Sequence, residues 1–283
     1  MSLLRVTLID VGWGDSLLLE TQDGAGQWQY ALIDSNDTST LRSSHIFLKR
    51  FFERRAAESG AQFDLPSRHA VFDWVLLTHA HADHGQGLKR ILRDFGTRRL
   101  LYPKSASTSA FFTGLIRYAR TSSKVEHHQA IDSTKIFSGF GDVAIDILWP
   151  PRDLLPANEN NNSVVLTLTL QNVSFVLTGD AEADVWTKIA KRIPAETLFF
   201  KVPHHGSANA TFDAGGGTPW LSQISNSAHL AISSHVRPFR HPDQDVVKLL
   251  DARGQTYYRT DQHYHITVET DGQVLSSVRY SHV

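Results

Sequence analysis

The chain has 283 residues, of which 28 are basic and 29 acidic, so its formal net charge is −1. It contains 15 histidines and no cysteine, which excludes disulfides, thiolate zinc sites, iron–sulfur ligation and a cysteine nucleophile. Any metal must therefore be held by histidine, carboxylate or amide oxygen. The near-neutral charge argues against a protein that coats nucleic acid through bulk charge, although a local basic patch stays open.

No stretch of the sequence reaches the roughly 18 uninterrupted apolar residues that a membrane-spanning helix needs. The N-terminal segment meets Asp10 too early for a signal peptide. We therefore expect a cytoplasmic protein with no membrane segment.

Apolar runs predict four strands and two helices in the first part of the chain. The strands are predicted at 4–10, 16–20, 28–33 and 71–78. The helices are predicted at about 41–58 and from Asp83 to Phe95. In the second helix the apolar residues follow the spacing i, i+3, i+4, i+7, as expected for one buried face.

The second part repeats this order of elements. Strands are predicted at 143–149, 163–170, 173–178, 197–202, 228–233, and near 256–260, 264–269 and 273–279, with helices at 181–192 and 243–252. This layout predicts an α/β protein in which two similar halves pack sheet against sheet. No Pro- or Ser-rich linker divides the halves, so we expect one domain that spans residues 1–283.

The strongest motif follows directly after the predicted buried strand 71–77. His79, His81, Asp83 and His84 place four potential metal ligands within six residues. Past a strand end, residues two apart can project the same way, so His79 and His81 could chelate one ion. Asp83 and His84 lie in the first turn of the predicted helix and could serve a neighbouring position. This division suits a dinuclear metal site.

The pattern His79-x-His81-x-Asp83-His84 resembles the signature of the metallo-β-lactamase superfamily, whose members share a four-layer αββα sandwich. Further segments occur in the superfamily's order, namely Asp10 to Ser16, Leu32-Ile33-Asp34, Asn160 to Ser163, Leu177 to Asp180, Lys201 to Ser207, Ile232 to Ser234 with His241-Pro242, and Tyr258 to Asp261. The set is most similar to the hydrolase domain at the C-terminal end of ComEC-type DNA-uptake channels and to its free-standing relatives. The resemblance covers about residues 5 to 270.

The resemblance implies further site residues. Asp180 is similar to the superfamily's bridging carboxylate, and His205 to the final metal ligand, which usually precedes a glycine. His204 would then face the substrate, as a phosphate-binding group or as the acid that protonates the leaving oxygen, although the two histidines could exchange roles. The implied metal ligands are His79, His81, Asp83, His84, Asp180 and His205, and the candidate catalytic residues are Asp83, His204 and His241.

One departure from the superfamily pattern concerns the metals. Many members carry another metal-binding histidine where this sequence has Asn160 to Asn162, and no histidine lies between His128 and His204. An asparagine oxygen or water could fill the gap, which would favour a harder ion such as Mn²⁺. We expect two divalent ions, with Zn²⁺ and Mn²⁺ both open.

Three residues are expected to support the ligands rather than to bind metal. Asp34 ends a strand at the same sheet edge and could orient a ligand histidine. Asp10, which with Asp15 brackets a Gly-x-Gly turn, and Asn161 are expected beside the site. His241, next to Pro242, is a candidate either for contact with the substrate or for a local capping role.

Two arginines are candidates for phosphate recognition. Arg237 and Arg240 fall in a loop expected near the active-site edge. Phe239 could stack a base there, and Trp220 could do so too, although core packing explains Trp220 as well.

Together, these features predict a metal-dependent hydrolase that cleaves phosphodiesters of nucleic acid or a nucleotide, in which a metal-bound hydroxide attacks phosphorus. No Gly-x-Ser-x-Gly elbow supplies a protein nucleophile. One alternative is a hydrolase of a small ester, lactone or phosphocholine substrate. Another is a non-catalytic metal-binding module with an unknown protein partner.

Overall fold

The strands of the protein form two sheets in a computed structural model, which describes residues 1–59, 70–137, 139–153 and 155–281. In chain order the strands are β1 (Leu3–Leu8), β2 (Leu17–Gln22), β3 (Trp28–Ile33), β4 (Trp74–Leu76), β5 (Thr97–Pro103), β6 (Val125–Ile131), β7 (Ala144–Trp149), β8 (Val165–Leu170), β9 (Val173–Leu177), β10 (Thr197–Lys201), β11 (His229–Ile232), β12 (Tyr257–Arg259), β13 (His265–Thr270) and β14 (Leu275–Ser281).

Helices connect many of these strands. They are α1 (Ser43–Ser59), α2 (Ala82–Gly85), α3 (Leu88–Phe95), α4 (Ala110–Thr121), α5 (Ala183–Ile189), α6 (Ala208–Thr211), α7 (Gln244–Ala252) and α8 (Thr260–His263). Short 3₁₀ turns lie at Glu159–Asn162, Ala190–Arg192, Pro203–Gly206 and Leu221–Gln223.

Each of the two sheets has one part in which the strands pair antiparallel and one part in which they pair parallel. The first sheet has the order β14-β13-β1-β2-β3-β4-β5-β6, and the second has the order β12-β11-β10-β9-β8-β7. In the first sheet the pairs from β14 to β3 are antiparallel and those from β3 to β6 are parallel. In the second sheet β7, β8 and β9 pair antiparallel, and β9 to β12 pair parallel. The last two strands return to the first sheet, beside β1.

The sheets pack face to face and helices cover both outer faces. Alternation along β1 sends Leu4, Val6 and Leu8 into the core between the sheets, where they meet apolar residues of β8 and β9. On the outer face of the first sheet a second core joins β3 and β4 to α1, α3 and α4. A third core joins β8, β9 and β10 to α5 and α7. The predicted four-layer αββα sandwich is confirmed.

The structure differs from the predicted elements in three places. Residues 97–131, for which no element was predicted, form β5, α4 and β6. The predicted helix from Asp83 to Phe95 is divided into α2 and α3 at Gly87, whose backbone N–H donates to the Ser35 carbonyl at 2.9 Å. A Cβ at position 87 would lie 2.4 Å from the Ser35 hydroxyl, so the loop after β3 passes this point only because the residue is glycine. The predicted strand 71–78 is shortened to β4.

Within the described ranges, no helix is both long and apolar enough to cross a membrane. The cytoplasmic location stays a prediction, as does the single domain over residues 1–283.

Candidate metal centre

The histidine motif lies where β4 ends. The chain leaves β4 at Leu76, and α2 begins at Ala82, so Asp83 and His84 lie in its first turn. His79 and His84 are fully buried, whereas the Asp83 side chain is 25% exposed. The strand thus delivers two histidines to the interior and leaves one carboxylate facing outward.

Three other strand ends converge on the same place. Asp34 follows β3, Asp180 follows β9, and His204 and His205 follow β10. The carboxyl ends of parallel strands in both sheets therefore meet at one edge, which is where α/β folds build their sites.

The backbone is strained at this edge. Asp34 has a φ of 58°, His204 of 47° and His205 of 55°. Non-glycine residues rarely adopt this left-handed region, and such strain clusters at functional sites. Two consecutive strained histidines turn the chain so that His205 points inward, while His204 lines the cleft.

Four side chains form a compact ligand set. The Asp180 Oδ2 atom lies 3.1 Å from His84 Nε2 and 3.3 Å from His205 Nε2. Asp83 Oδ2 lies 4.0 Å from His84 Nε2 and 3.9 Å from His205 Nε2. The potential ligand atoms of all four residues lie within 4.8 Å of one another. Two imidazoles and two carboxylates fit a divalent cation such as Zn²⁺ or Mn²⁺.

The two histidines of this set are held from behind. His84 Nδ1 donates to Asp34 Oδ2 at 2.7 Å, and His205 Nδ1 donates to the Ser233 carbonyl at 2.9 Å. Each imidazole therefore presents Nε2 to Asp180, as metal-ligating histidines do when a neighbour fixes the other nitrogen. Asp34 also accepts from the backbone N–H and the hydroxyl of Thr78, at 2.7 and 2.6 Å, which ties it to the end of β4.

Buried polar atoms of the set lack hydrogen-bond partners. Asp180 Oδ1 and His205 Nε2 are both buried and have no hydrogen-bond partner in the described part of the chain. An unsatisfied buried carboxylate oxygen or imidazole nitrogen is costly, and a bound cation would satisfy both. The chemistry of these atoms therefore fits a metal ion.

Electrostatics explains the pKa directions of the set. Burial alone would lower the pKa of His84, but the carboxylates of Asp180 and Asp34 outweigh it and raise that pKa well above its usual range. Burial likewise opposes, and Asp180 produces, the raised pKa of His205. Burial would raise the pKa of Asp180, yet His205 and His84 hold it well below its usual range. These groups form a strongly coupled ionic cluster.

His79 and His81 form a separate pair. His79 Nε2 lies 3.0 Å from His81 Nδ1, and its ring centroid is 4.3 Å from that of His84. Burial, followed by the charge of His84, lowers the pKa of His79 well below its usual range, so this imidazole is neutral. A neutral imidazole can bind metal, but His79 and His81 do not belong to the compact four-residue set.

The side chains of Asn160 and Asn161 have different surroundings. The Asn161 side-chain oxygen accepts from the backbone N–H of Glu182 at 3.0 Å, so Asn161 holds the loop after Asp180 rather than facing the ligands. Asn160 lines the cleft together with His81, and its side-chain oxygen is buried without a hydrogen-bond partner. The structure thus places Asn160, not Asn161, at the position where an amide oxygen could approach metal.

Of the other residues predicted for the site, some line the cleft and others lie away from it. Asp10 Oδ1 accepts from the Gly12 backbone N–H at 3.0 Å, so it shapes the turn below the site and does not reach the ligands. His204 and His241 both line the cleft, which has a volume of about 640 Å³. Arg237 and Arg240 are exposed on the loop after β11 and do not line this cleft.

Trp220, which was a candidate for base stacking, is fully buried and packs on Phe200, so it is a core residue.

Burial lowers the pKa of both cleft histidines. The pKa of His241 falls to about 4, chiefly through burial and then through the charges of His205 and His204. Burial also lowers the pKa of His204, against the opposing effect of Asp180. Its Nδ1 lies 3.5 Å from Glu182 Oε1. Both imidazoles are therefore neutral at pH 7.

Sequence reasoning missed a buried ion pair beneath the cluster. Lys201 Nζ lies 2.8 Å from Asp15 Oδ2, and both side chains are 1% exposed. The other Asp15 oxygen lies 3.6 Å from His205 Nδ1. Asp15 reaches this depth because Gly14, with a φ of 99°, lets the loop press against the Asp83 carbonyl, which a Cβ would approach to 2.2 Å. The Gly-x-Gly turn before Asp15 and a lysine that ends an apolar run were the signals available in the sequence.

The position of Trp13 at the site was also not predicted from the sequence. Its ring centroid lies 4.6 Å from that of His205, 4.7 Å from Phe239 and 5.4 Å from His241. Phe239 is 61% exposed. Trp13, Phe239 and His241 line the cleft, and their three rings make an aromatic wall along one side of it.

The chain is similar in sequence to two known bacterial proteins. No family model matches the chain. The chain is 27% identical over 263 residues to ComE operon protein 3 of Bacillus subtilis, which covers 91% of this chain and 32% of that protein. It is 26% identical over 231 residues to the uncharacterized protein YcaI of Escherichia coli, with 78% and 27% covered. The chain thus spans between a quarter and a third of the length of these curated relatives.

Among solved structures, a long form of RNase Z from yeast superposes with a TM-score of 0.50 at 9% identity, covering 96% of this chain and 41% of that one. The metallo-β-lactamase MIM-1 from Novosphingobium pentaromativorans gives a TM-score of 0.43 at 14% identity, covering 77% and 85%. At such identities the likeness to RNase Z concerns the fold alone.

The buried ion pair makes a testable prediction. We expect Lys201→Met to lower the free energy of unfolding by about 3–5 kcal/mol, because it leaves the Asp15 carboxylate buried and unpaired. The double variant Asp15→Asn, Lys201→Met should recover at least half of that loss, since it removes both charges. Urea unfolding followed by circular dichroism measures both. An equal loss in the single and double variants would show that the two side chains do not act as a pair.

Proposed function

We propose that the chain is a member of the metallo-β-lactamase superfamily and a metal-dependent hydrolase that cleaves phosphodiester bonds, with a nucleic acid or a nucleotide as substrate. The observation that carries this proposal is the compact set of Asp83, His84, Asp180 and His205, whose ligand atoms lie within 4.8 Å of one another beside an open cleft that Asp83 and Asp180 line.

Two divalent ions would be held by the residues at hand. We assign one ion to the compact four-residue set and the second to His79 and His81, with Asp180 shared between them. The Asn160 amide oxygen is the candidate to supplement the histidine pair, and an oxygen ligand there favours Mn²⁺ over Zn²⁺. When bound, the ions would supply Lewis acidity that polarises a phosphoryl oxygen and lowers the pKa of water.

The remaining cleft residues would position the reacting groups. Asp83 is the most exposed carboxylate of the set and lines the cleft, so we assign to it the orientation of the attacking water through an accepted hydrogen bond. His204 and His241 are neutral at pH 7, so each can donate an N–H to a phosphate oxygen, and neither carries an imidazolium proton for the leaving group. Phosphate contacts by Arg237 and Arg240 stay a prediction, from an exposed loop that a longer substrate could reach.

The aromatic wall supports a substrate that carries a base. Trp13, Phe239 and His241 line the same cleft as Asp83 and Asp180. An exposed phenyl ring in such a place offers a flat apolar face, and bases stack on aromatic side chains regardless of sequence. A small ester or lactone without an aromatic or long apolar group would make little contact with this wall, so the wall favours the nucleic acid or nucleotide over that alternative.

The shared carboxylate provides the direct test of the proposed chemistry. We expect Asp180→Asn to lower kcat/KM on bis-p-nitrophenyl phosphate, with Mn²⁺ or Zn²⁺ present, by at least about 100-fold, because it removes the charge common to both ion positions. Asp184→Asn, an exposed aspartate on α5, is the matched control and should stay within about twofold of wild type. Full activity in Asp180→Asn would contradict the proposal, and so would turnover confined to lactone or phosphocholine esters in the same assay series.

The aromatic wall gives a second expectation. Phe239→Ala should raise KM for a single-stranded oligonucleotide by about 5- to 150-fold, the equivalent of about 1–3 kcal/mol for a lost base stack. Val236→Ala serves as the control, because Val236 is 53% exposed on the same loop and does not line the cleft. Steady-state kinetics on both variants provides the comparison. An equal rise in KM in both would attribute the effect to the loop rather than to the ring.

A further inference from the structure

A second cavity lies between α1 and the outer face of the first sheet. Its volume is about 350 Å³, within the range of about 300–1,000 Å³ that small-molecule and cofactor sites occupy. Five arginines line it, namely Arg5, Arg50, Arg54, Arg55 and Arg279. None of them belongs to the cleft with the metal ligands. We call this cavity and its extension, described below, the arginine groove.

Strand alternation builds the floor of the groove. Leu4 and Val6 point into the core between the sheets, so Arg5 and Thr7 of β1 point outward. Thr7 pairs with Thr267 of β13, which pairs in turn with Arg279 of β14. Cross-strand neighbours therefore form a polar strip on the outer face, where a helix-covered sheet normally presents apolar residues.

The carboxylates of the floor are already paired. Glu20, which is 1% exposed, lies 3.1 Å from Arg5 and 2.6 Å from Arg55. Glu269 lies 2.5 Å from Arg5 and 3.1 Å from Arg279. These ion pairs fix three guanidinium groups in place beneath the cavity.

The wall of the groove carries two arginines without a counterion. Arg50 and Arg54 are exposed, stand four residues apart on α1, and make no salt bridge to any described residue. Like charges at this spacing repel and destabilise a helix. Glu20 and Glu58 line the cavity with the five arginines, and Glu269 is paired with Arg5 and Arg279, so these groups together carry an excess of two positive charges. A ligand that carries negative charge would neutralise it.

The groove continues past Arg50. A neighbouring cavity of about 240 Å³ shares Phe47 and Arg50 with the first, so the two adjoin. It is lined further by Asp10 and Tyr264. Tyr264 is 47% exposed there, and Tyr280 is 49% exposed in the first cavity. The loop that starts at Asp10 carries Trp13 into the cleft with the metal ligands.

We propose that the arginine groove is a second binding site, for a segment of single-stranded nucleic acid. Its phosphates contact Arg50 and Arg54, and its bases pack against Tyr264 and Tyr280. Basic grooves with exposed aromatic rings are the general means by which proteins hold single strands without sequence preference. The groove extends the proposed function, because a strand held there would supply the substrate of the cleft, but its binding needs no metal.

The test measures binding in EDTA, where hydrolysis by divalent metal cannot occur. Wild-type protein and the double variant Arg50→Gln, Arg54→Gln are titrated into a fluorescein-labelled single-stranded 20-mer, and anisotropy gives Kd at several salt concentrations. We expect the double variant to raise Kd at least about 10-fold and to reduce the slope of log K against log salt by about 1.4, the value for two lost phosphate contacts on a single strand. The midpoint of thermal unfolding should not fall, because both arginines are exposed and their mutual repulsion is removed.

The matched control removes the same charge elsewhere. Lys135 and Lys191 are exposed and line neither the groove nor the cleft, so Lys135→Gln, Lys191→Gln should retain Kd within about twofold. An equal loss in both double variants, unchanged binding by the arginine variant, or no binding by wild type would overturn the proposal. Competition by a mononucleotide at concentrations similar to those of the 20-mer would also overturn it, in favour of a free phosphate compound.

Failure of the groove and failure of the proposed hydrolase are distinguishable. The difference in Kd between wild type and the arginine double variant in EDTA reports on the groove, whereas hydrolysis of bis-p-nitrophenyl phosphate by wild-type protein reports on the metal-dependent chemistry.

Discussion

One buried carboxylate organises the site. Asp180 lies between His84, which the first sheet supplies, and His205, which the second sheet supplies. Asp15 and Asp34 are buried alongside, and within the described ranges Lys201 is the one permanent cation among these groups. Charges taken out of water must be paired, because burial of an isolated carboxylate is far too costly. Protonated histidines or a bound cation must supply the remaining positive charge, and the ligand set is arranged to accept the cation.

The fold brings these charged residues together on short segments that follow strand ends. Parallel strands of both sheets end at one edge, so residues from four loops come together without long connections. Three of these residues, Asp34, His204 and His205, hold left-handed backbone conformations. Such strain persists only where surrounding packing enforces it. The layered core supplies that packing, which is why a rigid sandwich can hold a site made of loops.

The sequence predicted those parts of the site that depend only on neighbouring residues in the chain. The ligands of the motif after β4 follow from a strand end and a helix start, and both can be read from periodicity. Lys201 and Asp15 could not be paired in advance, because 186 positions separate them and only the meeting of two sheets joins them. β6 escaped prediction because it is an edge strand with a polar pattern, and Asn160 could not be told from Asn161 without the turn that orients each. The arginine groove depends on the return of β13 and β14 to the first sheet, which no short-range pattern encodes.

In the proposed enzyme, the side chains around Asp180 hold the divalent metal that hydrolysis requires. The direct measurement is hydrolysis of bis-p-nitrophenyl phosphate by protein that is first stripped with a chelator and then titrated with Mn²⁺ or Zn²⁺, with bound metal counted by mass spectrometry. We expect no turnover after stripping, and recovery that follows the first one or two equivalents of bound metal. Unchanged turnover in the stripped protein, or stoichiometric metal binding with no turnover on any phosphodiester, would rule out a metal-dependent phosphodiesterase.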